Sequence, residues 1–470
     1  MLIDPENLDF RMSDDSPAKG YGCETYYIPR AEEKTLPAVY TRVLEGRRAV
    51  LEGDLKENTQ VKADILEINS DLTIHEGVHL DITPGTTVVF NGNYRIDVFG
   101  TFSARGTPDE RILFTVSEPP ADPDDFSDTA SSWRGINFNN TLSTNEGSKF
   151  EYCIFEYSMS HDLNFSYPPA YTGGVFFVQN FSKLHIENSI FRHNRATYGS
   201  VISLFNNANP VINNNLIYEN YAYTNGAAAY ILNSYPRIYN NTVINNRIVE
   251  IDPFEHTATF YAFRSKPLVV NNVIRDNFIG DDQIDGSGQV YFGKIYFIHN
   301  NNMTGIFDNG YNSNGNIDKD PYFDPDGEFP GMITDSSPCV NAGTDMGLIQ
   351  PQFDLLGNAR VVGTIDIGAF EDQTGSGIEQ NVLPSGSLVI YPNPANPSAE
   401  LVFYSPADGN LTDIHIYDIR GSLVEKIHYG VSASGRNTHH LLLNNYAAGI
   451  YFVRVFSPSF TATGKLLIVK

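Results

Sequence analysis

Six acidic or histidine side chains in two neighbouring stretches of the sequence are the first candidates for chemistry. They are Asp252, Glu255, His256, Asp281, Asp282 and Asp285. Two carboxyl groups held about 5 Å apart, or about 6.5 to 9.5 Å apart, can hydrolyse a glycosidic bond. Several carboxylate oxygens can instead hold Ca²⁺. A solvated acidic loop is the third interpretation, and it is favoured because the chain as a whole is strongly acidic.

These residues lie near a sequence motif that occurs four times in the chain. The motif places an Asn at the same position in each copy: Asn188, Asn214, Asn240 and Asn271. The first two steps are 26 residues and the third is 31. A fixed period of this length indicates a solenoid, and insertions in a solenoid tend to collect on one binding face.

Four insertions follow the repeated motif, at 160–171, 221–225, 250–256 and 281–286. The 31-residue offset predicts that Glu250 lies opposite Asp281 and that Ile251 lies opposite Asp282. Aromatic residues in these insertions are the predicted ligand contacts: Tyr221, Tyr223 and Phe254. His161 and His256 are candidate bases by residue type alone.

Short runs of Val, Ile, Phe and Tyr between Asn and Gly fill each repeat, and no helical period persists. This pattern predicts a coil of parallel strands. We expect the four repeated Asn side chains to stack about 4.8 Å apart and to form a hydrogen-bonded ladder. Cys153 aligns with Ser189 beside that ladder, which predicts a buried thiol.

Composition excludes several classes of function. The chain has 470 residues with 31 basic and 56 acidic side chains, a net charge of −25. Nucleic acid and anionic membrane surfaces are therefore unfavourable partners. The three cysteines do not indicate a disulfide framework, no zinc spacing is present, and no apolar run is long enough for a transmembrane helix.

The chain divides into four predicted parts. Residues 1–47 are similar in sequence to the closing segment at 320–343. They are predicted to be the tail of an upstream unit or an N-terminal cap, so that the sequence would be the C-terminal part of a longer protein. Residues 48–373 form the solenoid with a closing segment, 374–387 a flexible linker, and 388–470 a small antiparallel β-sandwich. The overall fold class is all-β.

Three local features carry further expectations. Trp133 is expected to be an inward anchor, and the acidic loop Asp122–Ala130 is expected to be solvated. The tract from Asp318 to Glu371 is expected to cap the last coil, because the end of a parallel coil exposes unpaired strand edges.

The repeats resemble right-handed parallel β-helix proteins of the secreted carbohydrate-active and adhesin type. The segment from Ser337 to Glu371 resembles the terminal segment of many bacterial surface β-helix proteins. Polygalacturonase-like catalytic motifs do not match: Asp281-Asp282 and Arg264-Ser-Lys266 occur in reversed order, and the other two motifs are absent. The resemblance therefore implies the fold but no substrate.

The last 80 or so residues resemble the C-terminal sorting domain of type IX secretion substrates. The matching residues are Pro392, Asn393, Pro394, Gly449, Tyr451, Lys465 and Lys470. The resemblance implies handling by the type IX machinery of a Gram-negative bacterium, removal of the domain, and release or attachment to surface lipopolysaccharide.

The sequence thus predicts a secreted or surface-displayed β-helix protein that binds glycan or is an adhesin or structural protein. The alternative is a polysaccharide lyase or glycoside hydrolase using the face around residues 250–285. No cofactor is predicted, with Ca²⁺ as an open possibility.

Overall fold

The computed structural model describes residues 2–4, 9–12, 40–122, 125–161, 168–249, 258–280, 282–283, 288–291, 295–302, 315–344, 348, 350–373, 388–391, 395, 398–405, 409–432, 435–443 and 446–468. They fall into two compact units, one within 39–382 and one that contains the C-terminal strands. The predicted linker 374–387 and most of the predicted N-terminal part lie outside these residues. Strands Leu2–Asp4 and Asp9–Met12 pair antiparallel.

The larger unit is a coil of parallel strands with three faces. Face A contains Ile96–Val98, Ile136–Asn139, Phe176–Gln179, Ile202–Phe205, Ala229–Leu232, Phe260–Phe263 and Gly288–Tyr291. Face B contains His79–Ile82, Thr101–Arg105, Ser148–Glu151, Leu184–Glu187, Val211–Asn213, Arg237–Tyr239, Leu268–Val270 and Tyr296–Ile298. Face C contains Thr87–Phe90, Ile112–Val116, Cys153–Glu156, Ile190–Arg192, Leu216–Tyr218, Thr242–Ile244, Val273–Arg275 and Asn301–Asn302.

A second, shorter sheet lies at the corner between face C and face A. This corner sheet contains Met159–Ser160, Arg195–Tyr198, Tyr221–Asn225, Arg247–Ile248 and Phe278–Ile279, with Asp282–Gln283 added antiparallel. One helix, Pro168–Tyr171, lies among the described residues. The architecture confirms the predicted parallel β-helix.

The first coils wind without the corner sheet. Strand Arg42–Leu55 pairs in parallel with Thr59–Ile74, and the latter is long enough to pair in turn with face B, face C and face A. The coil therefore begins at Arg42, a few residues before the predicted start at residue 48.

Apolar side chains that face inward at alternate positions of the strands explain why the repeats coil. Ile186 and Ile212 face inward in register on face B, and Phe191 and Ile217 do so on face C. Partners differ by 26 residues in these pairs, which is the period of the sequence. Burying apolar side chains of this size contributes about 1.5 to 3 kcal/mol each, as an upper estimate.

Aromatic side chains fill the earlier coils. Trp133 is fully buried, stacks on Phe90 with 4.4 Å between ring centroids, and donates its indole N–H to the Glu156 carbonyl oxygen at 2.8 Å. The inward anchor expected at this position is therefore present, with its one polar atom satisfied.

Two continuous asparagine ladders run inside the coil. In the first, Nδ2 of each residue donates to Oδ1 of the next along Asn215, Asn241, Asn272, Asn300 and Asn316, at 2.8 to 3.1 Å. In the second, the same bond links Asn194, Asn220, Asn246 and Asn277 at 2.9 to 3.0 Å.

Ser189 continues the first column toward Cys153, whose backbone N–H donates to the Ser189 hydroxyl at 3.0 Å. Burial raises the pKa of the Cys153 thiol.

The four Asn residues predicted from the repeat form a third, outer column. All four have left-handed backbone, with φ between 50° and 58°. Asn188 bonds Asn214, and Asn240 bonds Asn271 at 3.1 Å. The column breaks between Asn214 and Asn240, because the Asn240 side-chain N–H donates to the Gln350 side-chain oxygen at 2.7 Å. The Asn214 side-chain N–H group donates both to Asn188 and to the Phe353 carbonyl oxygen. The ladder is confirmed, but its continuous columns lie elsewhere, one of them a single residue further along the chain.

The closing segment covers more than the last coil. This segment, called the strap below, comprises the described residues of 315–373. It begins beside the last coil, where Ile317 bridges to Asn301. It then runs back along face C, until the Leu355 carbonyl accepts a bond from Arg111. The expectation of an end cap was therefore too narrow, because the outward side chains of face C are themselves apolar and need a cover.

Apolar side chains hold the strap in place. From the strap come Cys339, Leu355, Ile367, Ala369 and Phe370, and from the coil come Ile190, Leu216, Tyr218, Ile244 and Val273. All are buried. These contacts make the strap an integral layer of the β-helix rather than a surface loop.

The strap also buries a charged cluster. The guanidinium of Arg360 lies 3.2 Å from the Glu371 carboxylate, and both side chains are fully excluded from solvent. Asp354 and Asp366 lie in the same strap, and their carboxylates accept backbone N–H groups. Burial raises the pKa of Glu371 to about 8 and those of Asp354 and Asp366 to about 6, because one guanidinium only partly offsets three buried carboxylates.

The C-terminal unit is a sandwich of two antiparallel sheets. The smaller sheet contains Leu388–Tyr391, Ser398–Ser405 and Gly435–Leu442. The larger contains, in order, Leu423–Ser432, Asn410–Asp418, Gly449–Phe456 and Thr461–Ile468. Leu401, Phe403, Ile414, Val453 and Leu466 form its core. The predicted β-sandwich is confirmed.

Candidate ligand-binding face

The corner sheet brings the insertions to one side of the coil. Its strands place Arg195, Tyr221, Arg247 and Phe278 in register, one per coil. The predicted 31-residue offset holds here, because Arg247 pairs with Phe278. The strands that precede the insertions therefore adjoin, as predicted from the sequence.

Several predicted site residues lie outside the described residues. These are Asp252, Phe254, Glu255, His256, Asp281 and Asp285, and they stay predictions. Asp282 lies in strand Asp282–Gln283, which pairs antiparallel with Phe278–Ile279. Within the described ranges, no group of three or more His, Cys, Asp or Glu side chains is arranged to hold a metal ion.

Three rings from three different segments meet above the corner sheet. Phe126 lies 4.9 Å from the His161 ring and 5.5 Å from the Tyr223 ring, and His161 lies 5.0 Å from Tyr223. The Nδ1 atom of His161 is 3.0 Å from the Thr197 hydroxyl. All three rings are half-buried. Tyr223 and His161, two residues predicted from sequence, thus share one cluster.

The acidic loop supplies the third ring and is held by a buried arginine. Arg195 is fully buried, and its guanidinium donates to the backbone carbonyl oxygens of Asp125 and Asp128. The loop is solvated as expected, with Asp122, Ser127, Thr129 and Ala130 exposed, but its central residues are half-buried where they meet Arg195. A buried cation needs acceptors, and the loop backbone provides them.

Hydrogen bonds within the loop fix its shape and charge. The Asp125 carboxylate accepts the Ser127 N–H at 2.7 Å, and bonds from Ser127 lower the pKa of Asp125. Asp128 accepts the Ser131 N–H at 3.1 Å. The loop therefore presents a carboxylate beside the ring cluster at neutral pH.

A row of tyrosines, separate from this cluster, follows the coil axis. Tyr198 lies 6.2 Å from Tyr171 and 4.9 Å from Tyr230, measured between ring centroids. Tyr230 stacks on Tyr261 at 4.8 Å with 9° between the planes. Burial raises the pKa of Tyr171. The row crosses successive coils, so it presents a repeating surface.

Phenylalanines flank the tyrosine row on face A. Phe205 lies 5.2 Å from Phe177 and 6.2 Å from Tyr230. Sequence reasoning missed this row. The sequence contained evidence for the row, since the second residue of each pair Phe176-Phe177, Ala229-Tyr230 and Phe260-Tyr261 is aromatic. These residues occupy outward positions, where the alternation of a strand predicts polar side chains. The ring cluster and these two rows are together called the aromatic face below.

The predicted sorting residues that are described lie in the sandwich. Gly449 begins strand Gly449–Phe456. The Tyr451 ring is buried and its hydroxyl donates to the Ala447 carbonyl oxygen at 3.0 Å. Lys465 is exposed on the last strand. Pro392, Asn393, Pro394 and Lys470 lie outside the described residues.

The fold and its terminal domain define the class: an exported parallel β-helix protein with a separate sorting domain. Residues 389–470 match the secretion system C-terminal sorting domain family, and the C-terminal domain belongs to it. The chain is therefore a type IX secretion substrate that is secreted or displayed on the cell surface. Among the described residues, no helix has the length and apolarity to cross a membrane.

Comparisons with solved structures and with curated proteins give no further indication of function. Among solved structures, the chain is similar to the enzymatically active domain of tailspike protein 4 of bacteriophage CBA120, with a TM-score of 0.27 and 11% identity. The similarity covers 91% of this chain and 63% of that one. No curated protein matches the sequence.

Proposed function

We propose that this exported protein binds glycan chains through the aromatic face. Its row of tyrosines and its ring cluster are the single observation that carries the proposal. A tyrosine combines an apolar ring with a hydroxyl that both donates and accepts hydrogen bonds. A pyranose likewise combines apolar C–H surface with hydroxyl groups, so the two surfaces are complementary.

The arrangement of the face favours an extended ligand over a compact one. Tyr171, Tyr198, Tyr230 and Tyr261 belong to successive coils and follow the coil axis. Most of their rings are half-buried, which holds each ring in place while leaving part of it accessible. A polymer with repeating sugar units suits such a row better than a single small molecule.

Rigidity also supports binding. The coil strands fix the rings of the row, and Arg195 holds the loop that carries Phe126. A preorganised surface loses little conformational entropy when it binds. An adhesin or structural role on the cell surface is compatible with such binding and does not require turnover.

The test is binding of the purified full chain to a panel of neutral and acidic polysaccharides, by affinity electrophoresis and calorimetry. We expect Tyr230→Ala and Tyr223→Ala each to weaken binding by about tenfold. The matched control is Tyr235→Ala, an exposed tyrosine that is part of neither row nor cluster and is 43% accessible. Failure of every polysaccharide to bind, or equal losses in all three variants, would overturn the proposal.

The second candidate function would use the same side of the coil. Strands Arg247–Ile248 and Phe278–Ile279 are in register and lead toward the two acidic insertions. This placement favours a polysaccharide lyase or glycoside hydrolase as the alternative. The polysaccharide panel distinguishes it: turnover in the wild type that is lost in Asp252→Ala or Asp282→Ala would establish the enzyme.

A further inference from the structure

The sorting domain differs in charge from the rest of the chain. Six of the 31 Lys and Arg residues and only five of the 56 Asp and Glu residues lie within 388–470. The remaining residues carry 25 basic and 51 acidic side chains. A charge reversal of this kind between parts of one chain selects different partners for each part.

The basic side chains concentrate on the outer face of the four-stranded sheet. His415 lies in register between Lys426 and Arg454 on the neighbouring strands. Phe452 lies in register with Lys465. Side chains that share a face in adjacent positions act together, so three cations line one surface.

Among the described residues, Asp413 places a carboxylate on this face. Asp413 contacts His428 at 2.5 Å and Lys426 at 3.3 Å. The opposite side of the sheet is apolar, since Ile414, Ile416 and their neighbours on the next strand face the core. The described charged side chains of the outer face, Lys426, Arg454 and Lys465 against Asp413, therefore sum to a net positive charge.

Aromatic rings alternate with the cations. Arg454 lies over the Phe456 ring at 5.5 Å, and His415 meets the same ring edge-on at 4.7 Å. Phe452 is 41% exposed. Arginine and exposed aromatic residues are enriched in protein recognition surfaces.

The strand Leu423–Ser432 forms an open edge of the same sheet. Among the described residues it pairs only with Asn410–Asp418. Leu423, Val424 and Val431 are 52%, 47% and 65% exposed. An edge strand offers unpaired backbone donors and acceptors to an added strand, and apolar side chains at the edge give that strand contacts to bury.

We propose that this outer face and its open edge strand dock the sorting domain onto an acidic, strand-forming segment of a protein of the export machinery. Cations on the face complement the acidic side chains, and the edge extends the sheet by one strand. The edge favours a protein over an anionic lipid, because a lipid headgroup makes no use of strand pairing.

The test measures export of the full chain in the source cell with single charge reversals. Arg454→Glu changes the face, and the control Arg420→Glu makes the same charge change at an exposed turn. We expect Arg454→Glu to reduce the exported fraction by at least about threefold, with accumulation inside the cell. Arg420→Glu should be exported like the wild type. Equal export of both variants and the wild type would overturn the proposal.

Two further measurements separate docking onto a protein from a folding defect and from lipid binding. Thermal unfolding of the purified full chains should coincide, and if Arg454→Glu unfolds early, the exposed Lys426→Gln replaces it in the export assay. Binding of the wild-type chain to vesicles containing lipopolysaccharide, lost in Arg454→Glu, would assign the face to an anionic lipid and overturn the protein partner.

Discussion

The side-chain Nδ2 of Asn241 donates a hydrogen bond of 2.8 Å to Oδ1 of Asn272, one coil further along. The same Nδ2 also donates to the backbone carbonyl oxygens of Ile212 and Tyr239 at 3.0 Å. Its Oδ1 accepts the backbone N–H of Asn215 at 2.9 Å. One buried amide thus bonds backbone groups of its own coil and of the preceding coil as well as the next amide in the column.

Asn241→Ala should therefore destabilise the coil strongly. The substitution leaves the Ile212 carbonyl and the Asn215 N–H buried without this partner, and we expect a loss of about 3 kcal/mol. Thermal and denaturant unfolding of the full chain, followed by far-UV circular dichroism, measure the change.

A control in the neighbouring turn distinguishes the ladder from the turn itself. Asn245 is exposed and has left-handed backbone, with φ of 55°. Asn245→Gly keeps that backbone conformation accessible and should change stability by less than about 0.5 kcal/mol. Similar losses for both substitutions would show that the ladder bonds contribute little.

The sequence was sufficient to predict the coil, its register and the presence of a ladder, because these depend on a local period. It was not sufficient to choose between two adjacent asparagines. In the pairs Asn214-Asn215 and Asn240-Asn241, the first residue has left-handed backbone and faces outward, while the second faces inward. Only the three-dimensional turn distinguishes the two.

Contacts between segments that are distant in the sequence could not be predicted from the sequence either. Arg111 bonds the Leu355 carbonyl 244 residues away, and Arg195 bonds Asp128 67 residues away. Neither pair follows from a period or a motif. The strap and the loop at Phe126 were consequently predicted as an end cap and a solvated loop, although each covers part of the coil.

The charged cluster in the strap should make its attachment sensitive to pH. Burial raises the pKa of Glu371 from 4.5 to about 8, so the folded strap favours the protonated acid. Between these two pH values the folded state binds more protons than the unfolded state, and the free energy of unfolding falls as pH rises. Asp354 and Asp366, raised from 3.8 to about 6, act in the same direction at lower pH.

Hydrogen exchange of residues 350–373 in the full chain measures this effect. We expect protection factors at least about tenfold lower at pH 9 than at pH 6. Glu371→Gln should flatten the dependence above pH 6, whereas Asp335→Asn, an exposed position in the strap, should leave it unchanged. A dependence that survives Glu371→Gln would assign the effect to other groups.

Arg195→Met should release the loop that completes the ring cluster. Methionine keeps the apolar stem of the side chain but offers no N–H to the carbonyl oxygens of Asp125 and Asp128. Chymotrypsin should then cleave after Phe126 about tenfold faster than in the wild type, because the loop opens more often. Lys266→Met, at an exposed position, is the matched control. Arg195→Met should also weaken the binding of any polysaccharide that the wild-type protein binds, because the loop carries one of the three rings. An unchanged cleavage rate would mean that other contacts hold the loop without Arg195.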